Sequence, residues 1–86
     1  MKRRLLIDSE VLEFVGALRR SDRDLLLARF EAIRNDPARH ADFPHRDESG
    51  RDLEGHVVGR FAIVFWDNFA DRHVKIMGVT WADRMA

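Results

Sequence analysis

Apolar residues recur at helical spacing soon after the start of the chain. Val11, Val15 and Leu18 follow one another at intervals of three to four residues, which predicts a helix with one buried stripe. Asp8 or Ser9 stands just before this stripe, and both residue types favour the N-cap position. The pattern therefore predicts a first helix that begins near residue 9 and ends at the basic pair of residues 19–20.

A second apolar stripe predicts another helix directly after the first. It consists of Leu26, Phe30 and Ile33, and we expect the helix to begin at Ser21 with a capping-box sequence. The sequence Asn-Asp-Pro at residues 35–37 ends it, because proline disfavours helical geometry in the residue before it. The short joint between the two stripes predicts an antiparallel helix pair.

The last third of the chain changes to a period of two, which indicates strands. The first of these strands covers residues 61–66. We expect one of its faces to carry Phe61, Ile63 and Phe65, and the other to carry Ala62, Val64 and Trp66. A polar turn at 67–71 leads to a second strand at 74–81, so the two are expected to form an antiparallel hairpin. Because both faces of 61–66 are apolar, one face is expected to pack on the helices and the other to form a pocket or partner surface. We expect strand 74–81 to be an exposed edge.

Two segments remain between and before these elements. Residues 2–7 are expected to form a short first strand. Residues 38–54 are densely charged and interrupted by Pro44 and Gly50, so we expect a surface loop with at most a short strand near 51–53. The fold class that follows is α+β, with two antiparallel helices packed on a small antiparallel sheet in the order β-α-α-β-β-β. Residues 1–86 are expected to form a single domain.

Composition narrows the choice of protein class. The chain has 45% hydrophobic and 35% charged residues and no cysteine, which is typical of a folded domain without disulfides. Its 15 Lys and Arg balance its 15 Asp and Glu, which lowers the expectation of nucleic-acid binding unless a local basic patch exists. The three apolar residues between Arg4 and Asp8 are too few for a signal peptide, which needs roughly 7–15. We therefore expect a cytoplasmic protein that does not contact membranes.

The order of the elements, together with one local motif, resembles a known family. Leu53-Glu54-Gly55, followed by a glycine and an aromatic residue at Gly59 and Phe61, matches the entry into the central strand of the RelE/ParE toxin superfamily. The helix that ends in Asn-Asp-Pro before a loop is also typical of it. The resemblance covers nearly the whole chain. It implies the toxin of a type II toxin–antitoxin system, held inactive by a cognate antitoxin in a hetero-oligomer.

The chain departs from the RelE ribonucleases at two places. They usually carry an arginine directly after the aromatic residue of the central strand, where this chain has Ala62. They also carry arginine or histidine after the glycine of the last strand, where Gly78 is followed by Val79, Thr80 and Trp81. Both departures favour the ParE type, which inhibits DNA gyrase without that catalytic set.

The YafQ-like branch of the superfamily offers a different set of catalytic residues. His45 and His56 lie where that branch has two of its histidines, its third histidine has no counterpart here, and Arg60 replaces an acid. Histidine can act as acid or base near neutral pH, and arginine binds phosphate. We predict His56 and His45 as proton carriers and Arg60 and Arg51 as phosphate ligands, all at the edge of the open sheet face. Each of the four could instead be a solvated surface group.

These observations leave three functions open. The first is an endoribonuclease that cuts messenger RNA on the ribosome, the second is a ParE-like inhibitor of gyrase, and the third is a toxin homologue that has lost activity and only binds. No metal-ligand spacing and no glycine-rich phosphate loop occur, so no metal and no cofactor are expected. Trp66 is expected to complete the core and Trp81 to pack at a sheet edge.

Overall fold

The computed structural model describes residues 3–84 and confirms the α+β class. The strands are β1 (Arg4–Ile7), β2 (Phe43–Arg46), β3 (Asp52–Val58), β4 (Phe61–Asn68) and β5 (His73–Trp81), and the helices are α1 (Ser9–Gly16) and α2 (Arg20–Asn35). Short 3-10 helices follow α2 at Ala38–His40 and β5 at Ala82–Arg84. Lys2, which was expected in the first strand, lies outside the described residues. Neither α1 nor α2 has the length and apolar character that a membrane crossing requires.

The two helices form as expected, with different ends. Asp8 caps α1 through its Oδ1 atom, which accepts a hydrogen bond of 3.0 Å from the backbone N–H of Glu10. The predicted end near residue 19 is wrong, because α1 stops at Gly16 and three residues link it to α2. The capping box at Ser21 does not form. Instead Arg19 is the N-cap of α2, and its side chain accepts no hydrogen bond from the backbone of the helix. The Nε atom of Arg19 donates to Oδ2 of Asp22 at 3.1 Å.

The sheet is mixed, which corrects the expectation of a wholly antiparallel one. Its strand order is β1-β5-β4-β3-β2. β1 runs parallel to β5, with Arg4 opposite His73 and Ile7 opposite Ile76, whereas the other neighbours are antiparallel. The expectation that strand 74–81 is an edge is therefore wrong for its first part, because β1 pairs with residues 73–76 of β5. Residues 77–81 have no partner in β1, and β1 and β2 are the outermost strands of the sheet. The sequence pattern missed this because β1 pairs with the strand farthest from it along the chain.

The expected loop at 38–54 is largely a β-hairpin. β2 pairs antiparallel with β3, with Phe43 opposite Gly55. Proline cannot donate to a sheet ladder, so Pro44 argued against a strand, but an edge strand tolerates it on its outer side. Gly50 lies in the connecting turn with a φ of 83°, a conformation that glycine adopts at little cost. The charged residues of this segment therefore project from a hairpin and not from a loop.

One face of the sheet packs against both helices, as the alternation predicted. The core cluster comprises Val11, Val15, Leu26, Phe30, Ile33, Val58, Phe61, Ile63, Phe65, Val74 and Ile76. Phe30, Phe61 and Phe65 are its largest fully buried side chains. Both helices contribute to this one cluster, so the second face of the sheet carries no helix in the part of the chain that the structure describes. We call this second face the open face.

Candidate functional site

The two candidate histidines lie on opposite faces of the sheet. His45 of β2 pairs with Leu53 of β3, whereas His56 of β3 pairs with Ile63 of the core. Successive residues of a strand point to alternate faces, and Leu53 and His56 are separated by an odd number of positions. His45 is therefore on the open face, and His56 is beneath α2. The structure does not bring these two side chains to one place.

His45 and Arg51 lie at the same end of the open face, around the tip of the β2–β3 hairpin. Both line a concavity of about 670 Å³, together with Arg46 at the end of β2 and residues 47–49 of the turn. Within residues 3–84, no hydrogen bond holds the His45 ring. One histidine and one arginine of the four candidates therefore share a surface that solvent reaches.

Asp47 organises the hairpin tip. Its Oδ1 atom accepts hydrogen bonds from the Ser49 N–H at 3.0 Å, the Ser49 hydroxyl at 2.7 Å and the Arg51 N–H at 2.9 Å. The Ser49 hydroxyl, followed by the Arg51 N–H, holds the pKa of Asp47 below its ordinary value. The second carboxylate oxygen, Oδ2, lies 3.2 Å from Nε of Arg51. Asp47 is therefore an ionised carboxylate that fixes the direction of the Arg51 side chain.

Arg51 also lies over a tryptophan. Its Cζ atom is 5.5 Å from the ring centroid of Trp66, within the range of cation–π attraction. Trp66 is partly buried, and it pairs with Lys75 on the open face, whereas the preceding Phe65 is in the core. The expectation that Trp66 completes the core is therefore wrong. Trp81 takes that place instead, because its ring stacks on Phe61 at 4.9 Å.

A β-bulge opens a slot beside these residues. The β4–β5 register shifts between Val64 and Phe65, which pair with Gly78 and Ile76, so Met77 is the extra residue. The slot has a volume of about 270 Å³ and is lined by His45, Asp47, Leu53, Val64, Met77 and Gly78. A Cβ added at Gly78 would meet no heavy atom within 4 Å, so the missing side chain leaves real space. The slot thus joins an apolar floor to two polar side chains.

His56 belongs to a different arrangement on the helix side. Its Nδ1 atom donates to Oδ2 of Asp42 at 2.7 Å, and its Nε2 atom accepts from Nη1 of Arg29 at 3.1 Å. Burial lowers the pKa of His56, Asp42 opposes this, and Arg29 and His40 add to it. His56 is only 6% exposed. It is therefore a neutral, buried histidine with both ring nitrogens in hydrogen bonds.

Arg60 lies apart from the other three candidates. It follows Gly59 in the two-residue turn between β3 and β4, where Gly59 has a φ of 57°. Its Nη2 atom is 3.5 Å from Oδ2 of Asp22 at the start of α2, and its Cζ atom is 5.9 Å from the centroid of Trp81. It also lines a cavity with the residues that follow β5. The four predicted residues thus occupy three places. Among residues 3–84, no group of three or more acidic, histidine or cysteine side chains is arranged to hold a metal.

Sequence reasoning overlooked three features of the open face, and signals for two were present. Asp47 and Gly50 enclose a turn sequence between alternating residues, which is a hairpin signal. Gly78 interrupts an otherwise regular strand, which indicates a bulge or a close approach. The stacking of Arg51 on Trp66 depends on the register of the whole sheet, for which no local signal exists.

The architecture defines a class: a small α+β domain with a helix pair on one face of a five-stranded mixed sheet and an open second face. Three solved structures share it. A chain of the archaeal RelE–RelB complex from Pyrococcus horikoshii OT3 matches with a TM-score of 0.80 and 17% identity, over 98% of this chain and 99% of that one. A chain of the toxin–antitoxin complex RelBE2 from Mycobacterium tuberculosis matches with a TM-score of 0.79 and 12% identity, over 94% and 99%.

The third structure is the toxin RelE of E. coli, solved in the free state with two arginines changed to alanine. It matches with a TM-score of 0.71 and 15% identity, over 98% of this chain and 87% of that one. No protein-family model matches the sequence, and no curated protein matches it. The chain therefore has the fold of the RelE toxins, as the order of its elements predicted.

Proposed function

We propose that this chain is the toxin of a type II toxin–antitoxin system, and that it cleaves messenger RNA in the cytoplasm, on the ribosome. Two of the structures with this fold are toxin–antitoxin complexes, which supports the toxin role and a cognate antitoxin as partner. The observation that carries the ribonuclease role is the group of His45, Arg51 and Trp66 on the open face. It combines a histidine, a guanidinium and an aromatic ring, the groups that proteins use to bind and cut single-stranded RNA.

The proposed chemistry uses His45 and Arg51. His45 in its neutral form takes the proton of a ribose 2′-hydroxyl, and the 2′-oxygen forms a bond to the adjacent phosphorus. The bond from phosphorus to the 5′-oxygen breaks, and the leaving oxygen takes a proton from water. The hydroxide that remains takes the proton from His45, which returns to its neutral form. Arg51 neutralises the charge on the phosphate oxygens as the 2′-oxygen attacks. The products are a 2′,3′-cyclic phosphate and a 5′-hydroxyl.

In this proposal His56 and Arg60 do not touch the RNA. His56 is beneath α2 with both nitrogens engaged, and Arg60 points to Asp22. His56 instead ties α2 to the sheet, so its loss acts through stability.

A cleavage assay on translating ribosomes and on free RNA tests the ribonuclease role. We expect the purified chain to release fragments that end in cyclic phosphate, and we expect His45→Ala and Arg51→Ala to abolish this release. Arg60→Ala is the matched control, because it removes an arginine from the other side of the sheet and should leave cleavage intact. Cleavage by His45→Ala at the wild-type rate would overturn the assignment.

A second candidate is a gyrase inhibitor that binds without catalysis, and one observation favours it. Ala62 and Thr80 are partners in the β4–β5 register. RelE ribonucleases usually carry cationic side chains at these two positions, whereas both residues are uncharged in this chain. Each face of the sheet also has only one of the two candidate histidines. A supercoiling assay with purified gyrase separates the candidates. Inhibition of supercoiling without RNA cleavage would replace the ribonuclease proposal, and growth arrest by neither route would indicate a homologue that only binds.

A further inference from the structure

Asp47 holds Arg51 at three points of the hairpin formed by β2 and β3. The backbone N–H of Asp47 donates to the carbonyl oxygen of Arg51 at 3.1 Å, and its Oδ1 atom accepts from the backbone N–H of Arg51 at 2.9 Å. Its Oδ2 atom lies 3.2 Å from Nε of the Arg51 side chain. One aspartate thus fixes both the backbone at which the arginine side chain begins and the guanidinium at which it ends.

The two carboxylate oxygens of Asp47 have different tasks. Oδ1 binds backbone and hydroxyl donors of the turn, including the Ser49 hydroxyl at 2.7 Å, and the side-chain oxygen of an asparagine can accept the same bonds. Oδ2 lies against Nε, and the amide nitrogen that an asparagine has in its place is a donor, which cannot accept from Nε–H. Asp47→Asn therefore keeps the acceptor of the turn and removes the hold on the guanidinium.

Trp66 restricts the guanidinium in a second direction. Its ring centroid is 5.5 Å from Cζ of Arg51, and Trp66 belongs to β4, which has a paired strand on each side. The guanidinium is a rigid plane with N–H donors along its edge. Asp47 engages the plane at Nε and Trp66 lies at one of its faces, whereas no hydrogen bond within residues 3–84 uses Nη1 or Nη2. These two nitrogens form the edge that suits two oxygens of one phosphate.

The neighbouring carboxylate lowers the affinity of this place for phosphate. Asp47 is ionised, because hydrogen bonds from Ser49 and Arg51 keep its pKa below the ordinary value, and its negative charge repels that of a phosphate. Its contact with Arg51 therefore offsets part of the attraction between the guanidinium and RNA. An interaction that costs affinity can still raise the rate of cleavage if it aligns the arginine with the transition state.

We infer that Asp47 is a positioning residue of the proposed ribonuclease, which holds Arg51 so that Nη1 and Nη2 meet the phosphate oxygens as the 2′-oxygen attacks. Asp47 acts through Arg51 and does not touch the RNA. This role rests on the proposed cleavage of RNA and names the group that prepares its phosphate ligand. Its signature is a division between binding and rate, because removal of the Asp47 charge strengthens the binding of RNA and slows its cleavage.

Asp47→Asn in the full chain tests this role. Cleavage is measured at saturating protein on the substrate that the wild type cuts, free RNA or translating ribosomes. Binding is measured by fluorescence anisotropy of a single-stranded RNA with 2′-O-methyl groups, which cannot be cut. We expect cleavage to slow about 10- to 100-fold, the effect of a misplaced catalytic group, and binding to be as tight as in the wild type or tighter. A fall in both would mean that Asp47 only builds the hairpin, and unchanged or faster cleavage would mean that it does not orient Arg51. Either result would overturn the inference.

Two matched variants control for charge and for the turn. Asp52→Asn removes another carboxylate of the same hairpin, which contacts Arg46 at 3.1 Å, and should leave the cleavage rate unchanged. Ser49→Ala removes the hydroxyl bond to Oδ1 and leaves Oδ2 in place, so it should also cut RNA at nearly the wild-type rate. Cleavage lost in Ser49→Ala as in Asp47→Asn would refute the positioning role, because the turn alone would explain both.

A measurement without cleavage separates this role from the ribonuclease itself. The Nε–H resonance of Arg51, observed by NMR of the isotope-labelled chain, should shift and exchange faster with water in Asp47→Asn but not in Asp52→Asn. An unchanged resonance would show that Oδ2 does not hold Nε and would overturn the inference. A wild-type chain that cuts no RNA would refute the ribonuclease, whereas equal cleavage by the wild type and Asp47→Asn would refute the positioning role alone.

Discussion

The Nδ1 atom of His56 lies 2.7 Å from the Oδ2 atom of Asp42, and this hydrogen bond determines which tautomer the histidine adopts. Because Nδ1 carries the proton, Nε2 is free to accept from Nη1 of Arg29. The Oδ2 atom of Asp42 also accepts from the backbone N–H of Val57 at 3.3 Å. One neutral histidine thus connects α2, β3 and the segment before β2. Its hydrogen bonds hold two charged side chains, Arg29 and Asp42, at the place where α2 meets the sheet.

This arrangement predicts that acid weakens the fold. Burial, aided by Arg29 and His40, holds the pKa of His56 below its ordinary value despite Asp42, so the unfolded chain takes up a proton at a higher pH than the folded chain. The stability that neutral His56 provides is present above about pH 6.5 and falls as the pH decreases below it. We expect the free energy of unfolding, measured by urea titration between pH 8 and pH 5, to decrease in this range.

His56→Gln removes the titrating group and should flatten the lower part of that profile. The expected loss of stability at pH 8 is about 2 kcal/mol, since two hydrogen bonds to charged partners are weakened. His45→Gln is the control, because it removes a histidine of the open face and should leave the slope unchanged. A wild-type profile as flat as that of His56→Gln would contradict this account.

A second prediction concerns Gly55, whose position in β3 is opposite Phe43. A Cβ at Gly55 would overlap the ring of Phe43, so the aromatic side chain of the edge strand lies directly on the bare backbone. We expect Gly55→Ala to lower the free energy of unfolding by about 1–3 kcal/mol, the usual cost of overpacking. Urea denaturation of the purified variant measures the change.

The double variant distinguishes a steric clash from a backbone effect. In the Phe43→Ala background the ring is absent, and Gly55→Ala should then be nearly neutral. The coupling in this double-mutant cycle is expected to be at least half of the cost of Gly55→Ala alone. Additive effects would mean that Phe43 does not cover Gly55 as described.

The elements that the sequence predicted are those with a strong local period. The stripe of Leu26, Phe30 and Ile33 and the alternation of Phe61, Ile63 and Phe65 both identify core positions, because each face of a regular element must be apolar throughout to be buried. Asp8 was also among the expected caps, since a short polar residue before an apolar stripe has few other roles.

The features that the sequence did not predict depend on pairing between distant segments. β1 and β5 are paired although they lie at opposite ends of the chain, with both helices and three strands between them. No local sequence pattern predicts which strand pairs with β1. The same holds for the candidate site: His45 and His56 were placed together because they lie where the YafQ-like branch has two of its histidines. The face of the sheet on which each histidine lies follows from the β2–β3 register, in which His45 pairs with Leu53. A shift of that register by one residue would exchange the faces, so residue types alone cannot locate either side chain.

The last prediction concerns the share of Arg51 in RNA binding. Because Arg51 contacts a phosphate in the proposed mechanism, Arg51→Ala should weaken binding of a single-stranded RNA and reduce its dependence on salt. Each phosphate contact contributes roughly 0.7 to the slope of log affinity against log salt concentration for single strands. We expect a slope smaller by about that amount, because the proposed contact of Arg51 is to phosphate. Arg60→Ala, whose guanidinium lies near Asp22, should change neither quantity. Equal effects of the two variants would mean that RNA follows the other side of the sheet, and would remove the open face from the proposed function.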